Sequence, residues 1–108
     1  MDSYLLFESQ GPFESAQVPL HYQLAAGLKK QGNQVTLFLV QNGVTAARRS
    51  LRSEGLARLI EAGVEVLADD FSLREIGIPS SRLAAGVKVA NLDVAMDQLA
   101  EGRKALWM

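Results

Sequence analysis

The chain has no cysteine. Within this chain alone, that excludes disulfides, persulfides, thiolate nucleophiles and thiolate metal sites. Histidine is nearly as scarce. His21 is the only one, so a zinc site would have to draw mostly on carboxylates, which is uncommon for that metal. No excess of either charge is present: the formal net charge is −1, which gives no electrostatic reason to expect a nucleic-acid or membrane surface. The amino-terminal stretch Met1-Asp2-Ser3-Tyr4-Leu5-Leu6-Phe7 places an acid before a short apolar run. It reads as neither a signal peptide nor a membrane span, and the expected location is the cytoplasm. GxGxxG, GxxxxGK[ST] and nucleophile-elbow motifs are all missing, so dinucleotide binding, P-loop nucleotide binding and α/β-hydrolase chemistry lack support.

What is present fits a single domain spanning residues 1–108, with 48% apolar and 21% charged residues. Tyr4-Leu5-Leu6-Phe7 is short and uninterrupted, as in a strand buried on both faces of a parallel sheet. Leu20, Leu24 and Leu28, with Ala25 beside them, form a helical stripe that starts at Ser15 or Pro19 and ends at Gly32. Val35 to Val40 is the clearest strand. Gln41-Asn42-Gly43 ends it in a strand-to-helix turn, because the following residues favour helix over hairpin. Leu56, Leu59 and Ile60 line the next helix, and Gly63 closes it. After the Pro79-Ser80-Ser81 break, Arg82 to Gly86 fits one helical turn. Val87 to Ala90 follows as a strand whose Lys88 points to a sheet edge. Asn91 caps a helix striped by Leu92, Ala95, Met96 and Leu99, and Ala105 to Met108 is a last strand.

Between the second helix and that break lies an acidic stretch. Val64 to Leu67 reads as a strand running into Asp69-Asp70, where turn chemistry begins. Ser72 and Glu75 have capping-box spacing, and Gly77 can stop the short helix they would start. Five strands alternating with helices predict an α/β fold, a parallel sheet with helices on both faces and right-handed crossovers. The loops at Glu8–Pro12, Gln41–Thr45, Asp69–Ser72 and Asn91–Asp93 then share one edge of the sheet, where ligands bind in such folds.

Read along its whole length, the chain resembles the DsrE/DsrF-like family, small α/β proteins that include sulfur-relay subunits. The likeness rests on Gln10-Gly11-Pro12-Phe13, on Phe38-Leu39-Val40-Gln41-Asn42-Gly43-Val44, on Leu73-Arg74-Glu75-Ile76-Gly77-Ile78 and on the closing Lys104-Ala105-Leu106-Trp107-Met108. It implies a three-layer α/β/α fold with strand order 4-3-2-1-5 and assembly into trimers or hexamers. Sulfur-carrying members place a cysteine shortly after the third strand. Counted back from Gly77, that position falls on Asp69 here, and an aspartate cannot hold a persulfide. By itself the chain is therefore not expected to be a sulfurtransferase.

The candidate ligand-binding residues are Ser9, Gln10, Gly11, Asn42, Gly43, Asp69, Asp70 and Ser72, with no catalytic residue, metal or cofactor assigned. Ser9-Gln10-Gly11-Pro12 reads as an oxygen-rich rim, or simply as a turn. Asp69-Asp70 reads as an acid–base or metal pair, or as a cap beside a solvated acid; adjacent residues usually diverge, which favours the cap. His21 reads as a general base, or more commonly as a structural residue at the margin of its helix. Arg48, Arg49, Arg52 and Arg58 offer an anion or acidic-partner surface, or a solvated face paired with Glu54 or Glu61. Trp107 and Met108 need cover from the sheet, a pocket or a neighbouring subunit.

Three functions stay open. The first is an oligomeric small-ligand-binding or assembly protein accessory to sulfur metabolism. The second is a carboxylate enzyme or metal-binding protein using Asp69 or Asp70, with Glu8 or His21. The third is a non-catalytic partner of a persulfide-transfer protein. In all three the expected partners are copies of the chain and a sulfur-relay protein, with no nucleic acid and no membrane.

Overall fold

The computed structural model describes residues 1–50 and 53–108. Its strands are β1 (Ser3–Glu8), β2 (Gln34–Leu39), β3 (Glu65–Asp69), β4 (Lys88–Ala90) and β5 (Lys104–Trp107). The helices are α1 (Val18–Lys30), α2 (Glu54–Glu61), α3 (Asp70–Ile76) and α4 (Leu92–Ala100), with 3-10 turns at Gln41–Ala47 and Ser80–Arg82. All neighbouring strands pair in parallel, in the order β4-β3-β2-β1-β5 that the family resemblance implied. Helices lie on both faces of this five-stranded sheet, giving the expected α/β/α layers. Lys88 does sit on an edge strand. Among the described residues no helix is long and apolar enough to cross a membrane.

Alternation along the strands divides the core. Leu6, Leu37, Leu39, Val66 and Ala68 point to one face, where Ala25 of α1, Leu56 and Leu59 of α2 and Leu73 of α3 cover them. Leu5, Phe38 and Leu67 point to the other, where the apolar cover comes from Ala95 of α4. The two layers are therefore unequal. Three helices shield one side and a single helix the other.

That asymmetry corrects two readings of the helix stripes. Leu20 and Leu24 of α1 are exposed; of the same stripe Ala25 is buried, with Val18, and Leu28 packs partly buried against the core. Likewise α4 buries Ala95 and Gln98, while Leu92, Met96 and Leu99 face outward. In both helices an alanine sits against the sheet, where its short side chain lets the helix approach closely; the bulkier leucines are left on the flank. The turn expected over Arg82 to Gly86 forms earlier, at Ser80–Arg82, directly after Pro79 has fixed its own backbone angle.

At the amino ends of the strands, a polar clamp ties α4 and the chain after it to the sheet. The Glu65 carboxylate accepts from Thr36 Oγ1 at 2.8 Å and from Gln98 Nε2 at 3.2 Å. Arg103 donates to Thr36 Oγ1 at 2.9 Å and pairs with Glu101 at 3.6 Å. We expect Arg103→Ala to lower stability by about 2 kcal/mol, because a mostly buried hydroxyl loses its charged donor. The midpoint of urea unfolding measures the loss.

Candidate functional site

The carboxyl ends of the strands frame a cleft of about 670 Å³. Phe7 and Trp107 form one wall, from adjacent strands held in register as direct partners. Their rings stack with centroids 5.4 Å apart. Val40, Gln41 and Asn42 come from the end of β2, and Phe71, Ser72, Glu75 and Ile76 from α3. Asp69 closes the end of β3 and Leu92 opens α4.

Asp69 is the N-cap of α3. Its Oδ2 accepts from the Ser72 amide at 3.0 Å and from the Ser72 hydroxyl at 2.7 Å. This corrects the capping box read at Ser72 and Glu75: the helix begins three residues earlier, and Ser72 lies inside its first turn. Asp69 competes better for the cap because an ionised carboxylate accepts orphan N–H groups more strongly than a hydroxyl does. Gly77 ends the helix in the left-handed conformation, as its position predicted.

The Ser72 hydroxyl also accepts from the Gln41 amide at 2.8 Å. Gln41 has φ 51°, the only positive value among the described non-glycine residues. Asp69, Ser72 and Gln41 thus form a chain of bonds from β3 through α3 to the exit of β2, at the bottom of the cleft.

The other sequence candidates scatter around this core. Asn42 lines the cleft, together with Asp69 and Ser72. Asp70 turns outward and pairs with Arg74 at 3.1 Å, so the two adjacent carboxylates are committed to different partners. Ser9 donates through Oγ to the Met108 carbonyl at 2.9 Å, holding the end of β5. Gln10 donates its amide to Glu8 at 3.3 Å. Gly11 and Gly43 meet backbone and side chains rather than open space. A Cβ on Gly43 would lie 2.0 Å from the Glu8 carbonyl oxygen, and one on Gly11 would lie 2.3 Å from Thr45 Oγ1. Gly11 does line a separate hollow of about 200 Å³ with Phe13, Glu14, Asn42 and Thr45.

Glu8 belongs to β1, not to the turn after it, and is fully buried. Its Oε1 lies 2.5 Å from His21 Nδ1, so the lone histidine ties α1 to the end of β1. Beside them the Tyr22 hydroxyl is buried without a hydrogen-bond partner among the described residues. Burial, and then the Glu8 charge, push that phenol well above its ordinary range. Of the arginine cluster, Arg58 pairs with Glu54 at 3.3 Å, and Arg48 and Arg49 are exposed. Arg52 lies outside the described residues. No group of three or more His, Cys, Asp or Glu is placed to hold a metal ion among the described residues.

The sequence profile of the DsrE/DsrF-like family matches residues 2–108. The chain belongs to that family. In this DsrE/DsrF-like chain, Asp69 stands at the rim where the strands end. Among solved structures, it is similar to the protein of unknown function MTH1491 from Methanobacterium thermoautotrophicum, with a TM-score of 0.88 and 19% identity over 100% of both chains. The ychN protein from E. coli gives a TM-score of 0.86 and 24% identity, again over 100% of both. The protein BT1422 from Bacteroides thetaiotaomicron gives 0.76 and 15% over 97% of this chain and 94% of that one. At these identities the likeness is one of fold. No match is found among curated proteins.

Sequence reasoning missed the apolar lining: Phe7, Val40, Phe71, Ile76 and Leu92. The one available signal was the placement of aromatic and aliphatic residues beside predicted strand ends; only Trp107 and Met108 were read that way, and of the two Trp107 lines the cleft.

Tyr22 yields a pH-dependent outcome. Its folded-state pKa is raised, so above the ordinary phenol value of about 10 the unfolded chain loses a proton that the folded chain keeps. Stability therefore falls as pH rises past that point. Tyr22→Phe should flatten this decline between about pH 9 and about pH 11. At neutral pH it should leave stability unchanged or raise it by up to about 1 kcal/mol, since an unpartnered buried hydroxyl is removed. Urea unfolding across that pH range measures both effects.

Proposed function

We propose that this protein is a cytoplasmic, oligomeric binding module whose strand-end cleft holds a small molecule. The cleft carries this reading. Its volume of about 670 Å³ suits a small-molecule site, its lining is mostly apolar, and it lies where parallel α/β sheets bind ligands. The sites named from the sequence contribute through Asn42, Asp69 and Ser72 at its polar end. Any part in sulfur relay falls to the chain as a non-catalytic partner of a cysteine-bearing protein, because it has no thiol to hold the sulfur.

Self-assembly is the second half of the proposal. Leu92, Met96 and Leu99 follow one another along the outer face of α4, and all three are exposed, Met96 at 63%. Leu20 and Leu24 form a smaller exposed strip on α1. Apolar strips of this kind are covered when copies associate, here as a homotrimer or as two paired trimers.

Both halves are testable. Trp107 is the only tryptophan and lines the cleft, so its emission reports on occupancy. In a screen of small aromatic and aliphatic compounds we expect binders that shift Trp107 emission, with Phe71→Ala weakening them about tenfold. Failure of any compound to move Trp107 at millimolar concentration would leave the cleft without a ligand role. For assembly, sedimentation should give a multiple of the 11.7 kDa chain mass, three or six copies. Met96→Asp should reduce it to the monomer with the circular dichroism unchanged; a wild-type monomer would overturn this half.

A further inference from the structure

We propose that the ligand class of the cleft is an organic cation, an amine or quaternary ammonium carried on an apolar or aromatic body. This inference rests on the reading of the cleft as a small-molecule site and goes further by assigning the charge of its ligand.

Two features of the lining point the same way. The first is aromatic. Phe71 and Trp107 are each 62% exposed although they border a cleft, and Phe7 backs the Trp107 indole, which leaves ring surface available. A cation over such a face is attracted by the ring quadrupole, most strongly with tryptophan. The second is the balance of charge. Asp69 and Glu75 line the cleft, and among the described residues no Lys, Arg or His does. Arg74 borders a hollow next to it, but its guanidinium is 3.1 Å from Asp70 and partly neutralised there.

The opposing effect comes from the amino ends of α3 and α4, which both start at this rim and favour anions. Each amounts to roughly half a positive charge at most. The α3 end is already met by the full negative charge of Asp69 through the Ser72 amide. The α4 end is met by Asn91, whose Oδ1 accepts from the Asp93 amide at 3.0 Å, and Asp93 adds a carboxylate in the same turn. Once these caps are counted, Glu75 remains as an exposed carboxylate on the wall with no ion-pair partner among the described residues. The excess is negative, and an anionic ligand would meet it without a counter-charge.

Three soluble probes of nearly one shape separate the possibilities: phenethylammonium, the neutral 2-phenylethanol and the anionic phenylacetate. Each is titrated into the full chain, with Trp107 emission and the Trp107 indole N–H resonance as readouts. We expect phenethylammonium to bind about tenfold more tightly than the other two. Glu75→Gln, at an exposed position, should remove most of that advantage, bringing phenethylammonium to about the affinity of 2-phenylethanol for the same variant. Equal binding of all three would overturn the charge assignment and leave the cleft as a neutral apolar site. Tighter binding of phenylacetate would overturn it in favour of the helix ends. Absence of binding by all three would also overturn it, and the broader compound screen then decides separately whether the cleft binds anything.

Discussion

The 2.7 Å bond from the Ser72 hydroxyl to the Asp69 carboxylate joins three segments that the sheet alone would leave independent. Asp69 ends β3, Ser72 lies in the first turn of α3, and the same hydroxyl receives the Gln41 amide where β2 runs out. The Asp69 carboxylate satisfies two buried donors of Ser72, and the Ser72 hydroxyl in turn accepts the Gln41 amide, which links the three segments. Asp69 is thus a structural joint, and the cleft is built on top of it.

The unequal layers explain the rest of the surface. On the face covered by α1, α2 and α3, large aliphatic side chains fill the space above the sheet. On the other face α4 works almost alone. It is tied by the Glu65, Thr36 and Arg103 clamp at one end and by Ala95 against Leu5, Phe38 and Leu67 in the middle. The cleft opens at the carboxyl ends of the strands, between α3 and the start of α4. A helix held close by a small alanine must carry its larger apolar residues on its flanks, which places Leu92 both in the cleft wall and at the start of the exposed strip on α4.

Much of the architecture was legible in the residue order. Uninterrupted apolar runs marked β1 and β2, Gly77 and Asn91 marked helix ends, and the alternation of strands with helices announced a parallel sheet. The orientation of the helices was legible in part. Periodicity put Ala25 and Ala95 on the apolar sides of α1 and α4, and both meet the sheet, but close approach leaves their larger stripe neighbours Leu20, Leu24, Leu92 and Met96 exposed. Glu8 was hidden for a related reason. A carboxylate normally reads as a turn residue, and its burial here is met by the distant His21 on one oxygen and the Gln10 amide on the other. Two rules for helix starts competed at Asp69 and Ser72, and charge decided between them. The cleft was half visible: its polar rim followed from the loops, whereas its aromatic wall depends on the pairing of Phe7 with Trp107 across strands far apart in sequence.

That last pairing has a kinetic side. β1 lies between β2 and β5, and Tyr4 meets Lys104, so one flank of an interior strand waits for nearly the whole chain to be ordered. Closing a loop of this size costs about 4 kcal/mol of chain entropy before any contact repays it. In the interval, the backbone groups along that flank of β1 stand open, and a neighbouring chain still in the act of folding can occupy them first. The register that brings Phe7 beside Trp107 therefore spans more sequence than any other pairing of the sheet and is the one most open to mispairing.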